Sequence, residues 1–210
     1  MSTSAQEFAG ECIAVTGAAR GIGAAVTHLL LERGASVIAL DLDVEGLTQL
    51  SQSEYSDRVS CHLVDISQAD AVDAALAQGQ EKLGPIHRLA CVAGVLQMGR
   101  ITELSNEQWD RTFAINTTGV FNVCRNVAKG MIERKQGAIV NVSSNSAATP
   151  RIAMGAYAAS KAAVTQLSRC LGLELAPHGI RVNIISPGST DTPMQQAVWA
   201  QCSSRETVIA

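Results

Sequence analysis

Residues 12–34 commit the chain to one supersecondary unit. Cys12–Thr16 is a short apolar run of the kind that forms a buried strand. Ile22, Ala25, Val26, Leu29 and Leu30 then recur at helical spacing, and Gly34 supplies a stop. Between strand and helix lies Gly17-x-x-x-Gly21-x-Gly23. Glycines at such a turn let backbone come close to a phosphate, and the helix N-terminus offers free N–H groups and partial positive charge. Arg20 and Ile22 sit within the same loop. The next apolar run, Ser36–Leu40, closes on Asp41. A carboxylate there can accept hydrogen bonds from an adenosine ribose and repel a 2′-phosphate, which predicts NAD over NADP. It can equally cap the helix after Leu42. Arg20, able to attract a phosphate, is the opposing feature.

The same alternation continues to the end of the chain. Strands are predicted at Val59–Val64, Leu89–Val92, Ala138–Val142 and Arg181–Ile185. Helices are predicted from Ser67, as cap, to Leu83, from the capping-box residue Ser105 to Arg134, and from Ala156 to about Ala176. Gly84-Pro85 breaks the first of these. Strands alternating with helices, joined by right-handed crossovers, give an α/β fold with a doubly wound parallel sheet, the Rossmann arrangement. No linker or repeat divides the 210 residues, so residues 1–210 read as a single domain, with 189–210 starting a substrate loop. Apolar residues make up 47% and aromatics only 3%, a composition suited to strands buried on both faces. The candidate functional positions follow strand ends: the glycine loop, Asp41, Asp65-Ile66, Ala93-Gly94, Ser144 and Pro187-Gly188. That is the sheet edge where ligands bind. Asp65-Ile66 can meet an adenine, or Asp65 can cap a turn. Asn116 falls inside a helix, where a buried amide is costly unless satisfied.

Several function classes are excluded. The net charge of −3 with no basic block argues against nucleic acid. No apolar run is long enough to span a membrane, and the start, MSTSAQEFAGE, lacks the features of a signal peptide. A cytoplasmic protein is expected. Cys12, Cys61, Cys91, Cys124, Cys170 and Cys202 form no C-x-x-C and read as small buried hydrophobes in a reducing compartment. His28, His62, His87 and His178 lack metal-ligand spacing, so no metal is expected.

Tyr157 and Lys161 lie four residues apart, on one helical face. An unperturbed phenol titrates near pH ~10, and a nearby ammonium favours the phenolate, so the pair can form a general base. Ser144 follows the apolar run GAIVNV, whose strand delivers it to the sheet's mouth.

The set TGAARGIG, Asn116, Ser144, YAASK and SPG, in this order and spacing, resembles the classical short-chain dehydrogenase/reductase family over essentially the whole chain. The resemblance implies that Ser144 positions the substrate oxygen, Tyr157 moves its proton, and Lys161 binds nicotinamide ribose while tuning Tyr157. It implies that Asn116 holds a water linking Lys161 to solvent. Backbone near Ser189, with Thr192, would hold the nicotinamide carboxamide. One departure is Cys91-Val92-Ala93-Gly94, where the family usually has Asn-Asn-Ala-Gly. The backbone role near the adenosine survives and a side-chain hydrogen bond does not. The helices at 105–134 and 156–176 resemble the faces that pair subunits in this family, which implies a homotetramer. The family normally continues past the position of Ala210 with a helix and a final strand. The C-terminal strand is therefore expected to be missing and the sixth strand to form an open sheet edge.

The stretches VLQMGRITELSNEQWDRTFAIN, ATPRIAMGAYAASKAA and SPGSTDTPMQQAVW are similar to those of the 2,3-dihydro-2,3-dihydroxybenzoate dehydrogenases of catechol siderophore synthesis. That resemblance implies a cyclic dihydrodiol carboxylate as substrate, hydride removal to NAD, and tautomerisation to an aromatic catechol. A carboxylate needs a cation, and Arg151, between Ser144 and Tyr157, is the candidate; a solvated loop arginine is the other reading. Leu96, Met98, Met194 and Gln195 either line the ring pocket or pack in the core. Two further readings stay open: another family member such as a 3-oxoacyl-carrier-protein reductase, and a non-catalytic dinucleotide sensor.

Overall fold

The first two strands send alternate residues to opposite sides, and this sets the layers. A computed structural model describes residues 6–201. β1 (Cys12–Thr16) and β2 (Ser36–Asp41) pair in parallel. Cys12, Ala14, Ile38 and Leu40 point into one apolar core, and Ile13, Val15, Val37 and Ala39 into another. The second core is closed by Leu31 of α1 (Gly21–Glu32) and by Leu47 and Leu50 of α2 (Val44–Ser51). The first is closed by Val72 and Leu76 of α3 (Ala69–Leu83), Val123 and Val127 of α5 (Val120–Arg134), and Val164 of α6 (Gly155–Leu175). Helices thus cover both faces of the central strands, as parallel strands require, while alternate residues of β6 stay exposed.

β3 (Val59–Leu63), β4 (Ile86–Cys91), β5 (Gly137–Val142) and β6 (Ile180–Ile185) complete six parallel strands in the order β3-β2-β1-β4-β5-β6. β6 forms one edge among the described residues. The order reverses between β1 and β4, and a crevice opens at their carboxyl ends. Thr16, fully buried, spans that point: its Oγ1 accepts the N–H groups of Val92 and Ala93, each at 3.1 Å.

Some boundaries differ from expectation. β4 begins at Ile86, not Leu89, because its polar start has partners. Arg88 holds Glu11 through two hydrogen bonds, and His87 Nδ1 accepts the Cys12 N–H at 3.0 Å. Ser67 does not cap α3. The N-cap is Gln68, without a side-chain bond, and the Ser67 N–H goes to Asp65 Oδ1 at 2.9 Å. The helix expected over 105–134 starts with the predicted capping box at Ser105 and Gln108. It runs as α4 (Asn106–Phe113), a π-helical turn at Ala114–Gly119, and α5. A short helix, α7 (Pro193–Gln201), follows β6.

No helix among the described residues is long and apolar enough to cross a membrane, and no group of three or more His, Cys, Asp or Glu there can hold a metal. The cysteines correct a blanket expectation. Cys12, Cys91 and Cys124 are buried, but Cys61 is half-buried and Cys170 is exposed on α6. Apolar neighbours in sequence did not distinguish the outer face of that helix. Cys202 lies outside the described residues.

Candidate active site

The carboxyl ends of the strands surround a cavity of about 580 Å³. At one end is the glycine loop. A Cβ on Gly23 would sit 1.8 Å from the Gly17 carbonyl oxygen, and one on Gly17 would sit 2.9 Å from Ala93 Cα. Gly17 also has φ +67°, which only glycine adopts freely. The loop is therefore a cradle in which backbone stands where side chains usually stand. Beside it, Asp41 is pinned by three N–H groups: Ala19 to Oδ2 at 2.8 Å, and Leu42 and Asp43 to Oδ1 at 2.7 and 3.0 Å. Asp41 is not the cap of α2, whose N-cap is Asp43.

At the other end, β5 and the 3₁₀ turn at Asn145–Ala147 place Ser144, and the first turn of α6 places Tyr157. Ser144 Oγ accepts the Ser146 N–H at 3.1 Å, which fixes its rotamer toward the cavity rim. Tyr157 is 8% exposed and Lys161 3%. Lys161 Nζ donates to the Val142 carbonyl at 2.9 Å and lies 5.9 Å from the Tyr157 ring centre. Burial lowers the Lys161 pKa from 10.5 to about 8, and Cys91 opposes that fall.

The Tyr157 phenol departs from expectation. Its pKa is raised, chiefly by burial, while the hydrogen bond with Ser144 and the charge of Arg151 pull it down. The net shift of the phenol is upward, where the sequence predicts a downward one. Lys161 spends its ammonium on a backbone carbonyl, and Ser144 and Arg151 are the groups that favour the phenolate.

Of the residues singled out in sequence, Gly17, Arg20, Gly21, Ile22, Gly23, Asp41, Asp65, Ile66, Ala93, Gly94, Leu96, Ser144, Arg151, Tyr157, Lys161, Pro187, Gly188, Thr192, Met194 and Gln195 border this cavity. Asp65 also closes a turn through the Ser67 N–H, the capping reading of it. Three residues do not border the cavity. Met98 packs with Met154, Val198, Leu96 and Trp199 in a small apolar cluster, the core role. Ser189 gives way to Thr190 on the cavity wall. Asn116 is fully buried behind it. The π turn aims its amide at Val95, accepting the N–H at 2.8 Å and donating to the carbonyl at 2.9 Å, with a further bond to Ser160 Oγ at 3.0 Å. Asn116 thereby holds the loop after β4 against α6 and satisfies the costly buried amide.

The arrangement combines a phosphate-shaped backbone cradle, a fixed carboxylate, and a serine-tyrosine-lysine group on one cavity. A model of the short chain dehydrogenase family matches residues 11–203. The chain belongs to that family. It is 44% identical over 98% of its length to 2,3-dihydro-2,3-dihydroxybenzoate dehydrogenase of Bacillus subtilis, covering 80% of that protein. It is 40% identical over 94% of its length to the vibriobactin-specific 2,3-dihydro-2,3-dihydroxybenzoate dehydrogenase of Vibrio cholerae, covering 77%. Among solved structures, NAD⁺-bound xylitol dehydrogenase superposes with a TM-score of 0.88 at 30% identity, over 95% of this chain and 79% of that one.

Sequence reasoning missed several wall residues, among them Asp43, Arg111, Ile115, Asn145, Ser146 and Met154. Ile115 had a usable signal, since it adjoins Asn116 at the point where the chain meets the strand ends. Arg111 lies on α4, and its approach to the cavity, like that of the others, depends on how separate elements meet, for which no spacing rule exists.

Proposed function

We propose that the protein oxidises 2,3-dihydro-2,3-dihydroxybenzoate to 2,3-dihydroxybenzoate with NAD, supplying a catechol for siderophore biosynthesis. The observation that carries the substrate class is Arg151. It borders the cavity, its charge reaches the Tyr157 phenol, and it has no acidic partner among the described residues. An unpaired guanidinium beside the proton-transfer group suits a substrate whose carboxylate lies next to its reacting alcohol. Gln195 supports the same reading. Its Nε2 is buried without a hydrogen-bond partner, on the same wall, and can donate to a ring hydroxyl or carboxylate.

The residues at the other end fit a nicotinamide dinucleotide. The Gly17–Gly23 cradle suits its pyrophosphate, Asp41 its adenosine ribose, and Asp65, Ile66 and Gly94 border the remaining length. We assign Lys161 to the second ribose, and Thr192 with backbone at Pro187–Gly188 to the carboxamide. When bound, the cofactor supplies the acceptor for the hydride that leaves the carbinol carbon. Ser144 orients the substrate hydroxyl, and Tyr157 takes its proton as the carbon–oxygen bond becomes a carbonyl. The dienone product then tautomerises, and aromatisation draws the reaction toward the catechol.

The direct test is incubation of the dihydrodiol acid with NAD⁺ or NADP⁺, read by the near-ultraviolet absorbance of reduced nicotinamide. Turnover with NAD⁺ is expected; no turnover with the acid while other cyclic alcohols react would remove the substrate. Arg151→Ala should raise KM for the dihydrodiol acid about tenfold or more, the scale of a charge-assisted pair. The uncharged diol lacking the carboxyl serves as control, and equal effects on both substrates exclude Arg151 from carboxylate binding. Gly23→Ala should weaken NADH binding by at least about tenfold by fluorescence titration, because its Cβ meets backbone that cannot yield.

All five cysteines among the described residues are free, which supports a reducing, cytoplasmic setting. Exposed Phe121 on α5 and Leu173 on α6 support association through those helices, and we place the protein as a homotetramer. Sedimentation showing a monomer would remove that assignment.

A further inference from the structure

Arg20 is the one cation in the glycine loop, and its position poses a question about cofactor choice. A guanidinium there stands ready for a 2′-phosphate, yet it is not free. Its Nε donates to Asp43 Oδ2 as a salt bridge, with the Arg20 side chain 63% exposed and that of Asp43 15%. Arg20, Asp41 and Asp43 all border the dinucleotide end of the cavity. The backbone brings the two residues together. The Ala19 N–H and the Asp43 N–H both bind the Asp41 carboxylate, at 2.8 and 3.0 Å, so the two loops are tied through one side chain. Gly46 lets α2 close in behind: a Cβ there would lie 2.9 Å from Ala19 Cβ and 3.0 Å from Asp43 Oδ2.

We infer that Asp43 is a specificity-determining residue that latches Arg20 and so keeps the protein from accepting NADP, beyond the repulsion Asp41 exerts. This rests on the dinucleotide reading given above. An exposed ion pair contributes little to stability. Its consequence is orientation: the guanidinium is held and its charge matched by a second carboxylate. A 2′-phosphate therefore meets Asp41 with no compensating cation.

Asp43→Ser separates the elements of this claim. Serine is too short to reach Arg20 but remains a competent cap for α2, and the Asp43 N–H bond to Asp41 is kept. Fluorescence titration at low salt should show NADPH binding tightened about five- to tenfold, the scale of one exposed phosphate–guanidinium contact. NADH binding should change less than about twofold, and the NADPH gain should shrink as salt rises. In Arg20→Ala/Asp43→Ser the gain should vanish. Unchanged NADPH affinity in Asp43→Ser overturns the latch. A gain that survives in the double variant also overturns it, because Asp43 then acts by repulsion alone. If the wild-type chain binds neither NADH nor NADPH, the dinucleotide reading falls and the latch with it.

Discussion

Tyr157→Phe should lower kcat for the dihydrodiol about a thousandfold or more while NADH binding stays within about threefold. Proton transfer by a positioned group contributes roughly 10²–10⁴ to rate. The ring is almost wholly buried, so phenylalanine keeps the packing and removes only the hydroxyl. The pH dependence carries the sign of the phenol's shift. Oxidation needs Tyr157 able to accept a proton, and burial raises its pKa above the ordinary value of 10. The rate should therefore still be rising with pH where an unperturbed phenol would level off. Ser144 and Arg151 each lower that pKa, so Ser144→Ala should move the inflection further up as well as reduce kcat. Stopped assays across the alkaline range, with substrate saturating, read both effects. Residual turnover within about tenfold of wild type in Tyr157→Phe would mean that another group moves the proton.

What sequence revealed and concealed follows from the range of each interaction. β1, β2 and β5 were legible because each is an apolar run bounded by turn residues, and burial on both faces demands such a run. The start of β4 was hidden because His87 and Arg88 are polar, and their partners, Cys12 and Glu11, lie some 75 residues away. The π turn around Asn116 was hidden because one extra residue in a helix of nearly thirty barely disturbs its apolar periodicity. The Ser144–Tyr157–Lys161 group was visible as spacing, but the forces on it were not. Lys161 faces the Val142 carbonyl, a backbone atom without sequence signature, so the tyrosine's electrostatics had to be read from the fold. Arg20 shows the same limit. Its charge was plain, and its capture by Asp43 depends on how two loops meet at Asp41.

Lys161→Met should make the folded chain more stable and nearly inactive. Lys161 is 3% exposed, and burial lowers its pKa from 10.5 to about 8. At neutral pH it is charged in both folded and unfolded states, but only the folded state holds that charge out of water. A fall of this size corresponds to a folding penalty of about 3 kcal/mol. Methionine is one atom shorter than lysine, keeps its unbranched apolar shape and carries no charge. It leaves the Val142 carbonyl without its donor, which costs about 1–2 kcal/mol. The net gain at neutral pH should be about 1–2 kcal/mol, measured by urea unfolding. Its pH dependence separates this account from simple repacking. Between about pH 8 and 10.5 the folded wild type releases its proton while the unfolded chain keeps one. Wild-type stability therefore rises through that window, and the advantage of methionine should shrink across it. Repacking would leave the difference flat. Activity should fall at least about a hundredfold at every pH, because the ammonium at the cavity wall is what the proposed chemistry retains the penalty for. A variant less stable than wild type at neutral pH, with a difference that does not change toward pH 10.5, would show that the buried ammonium is not strained.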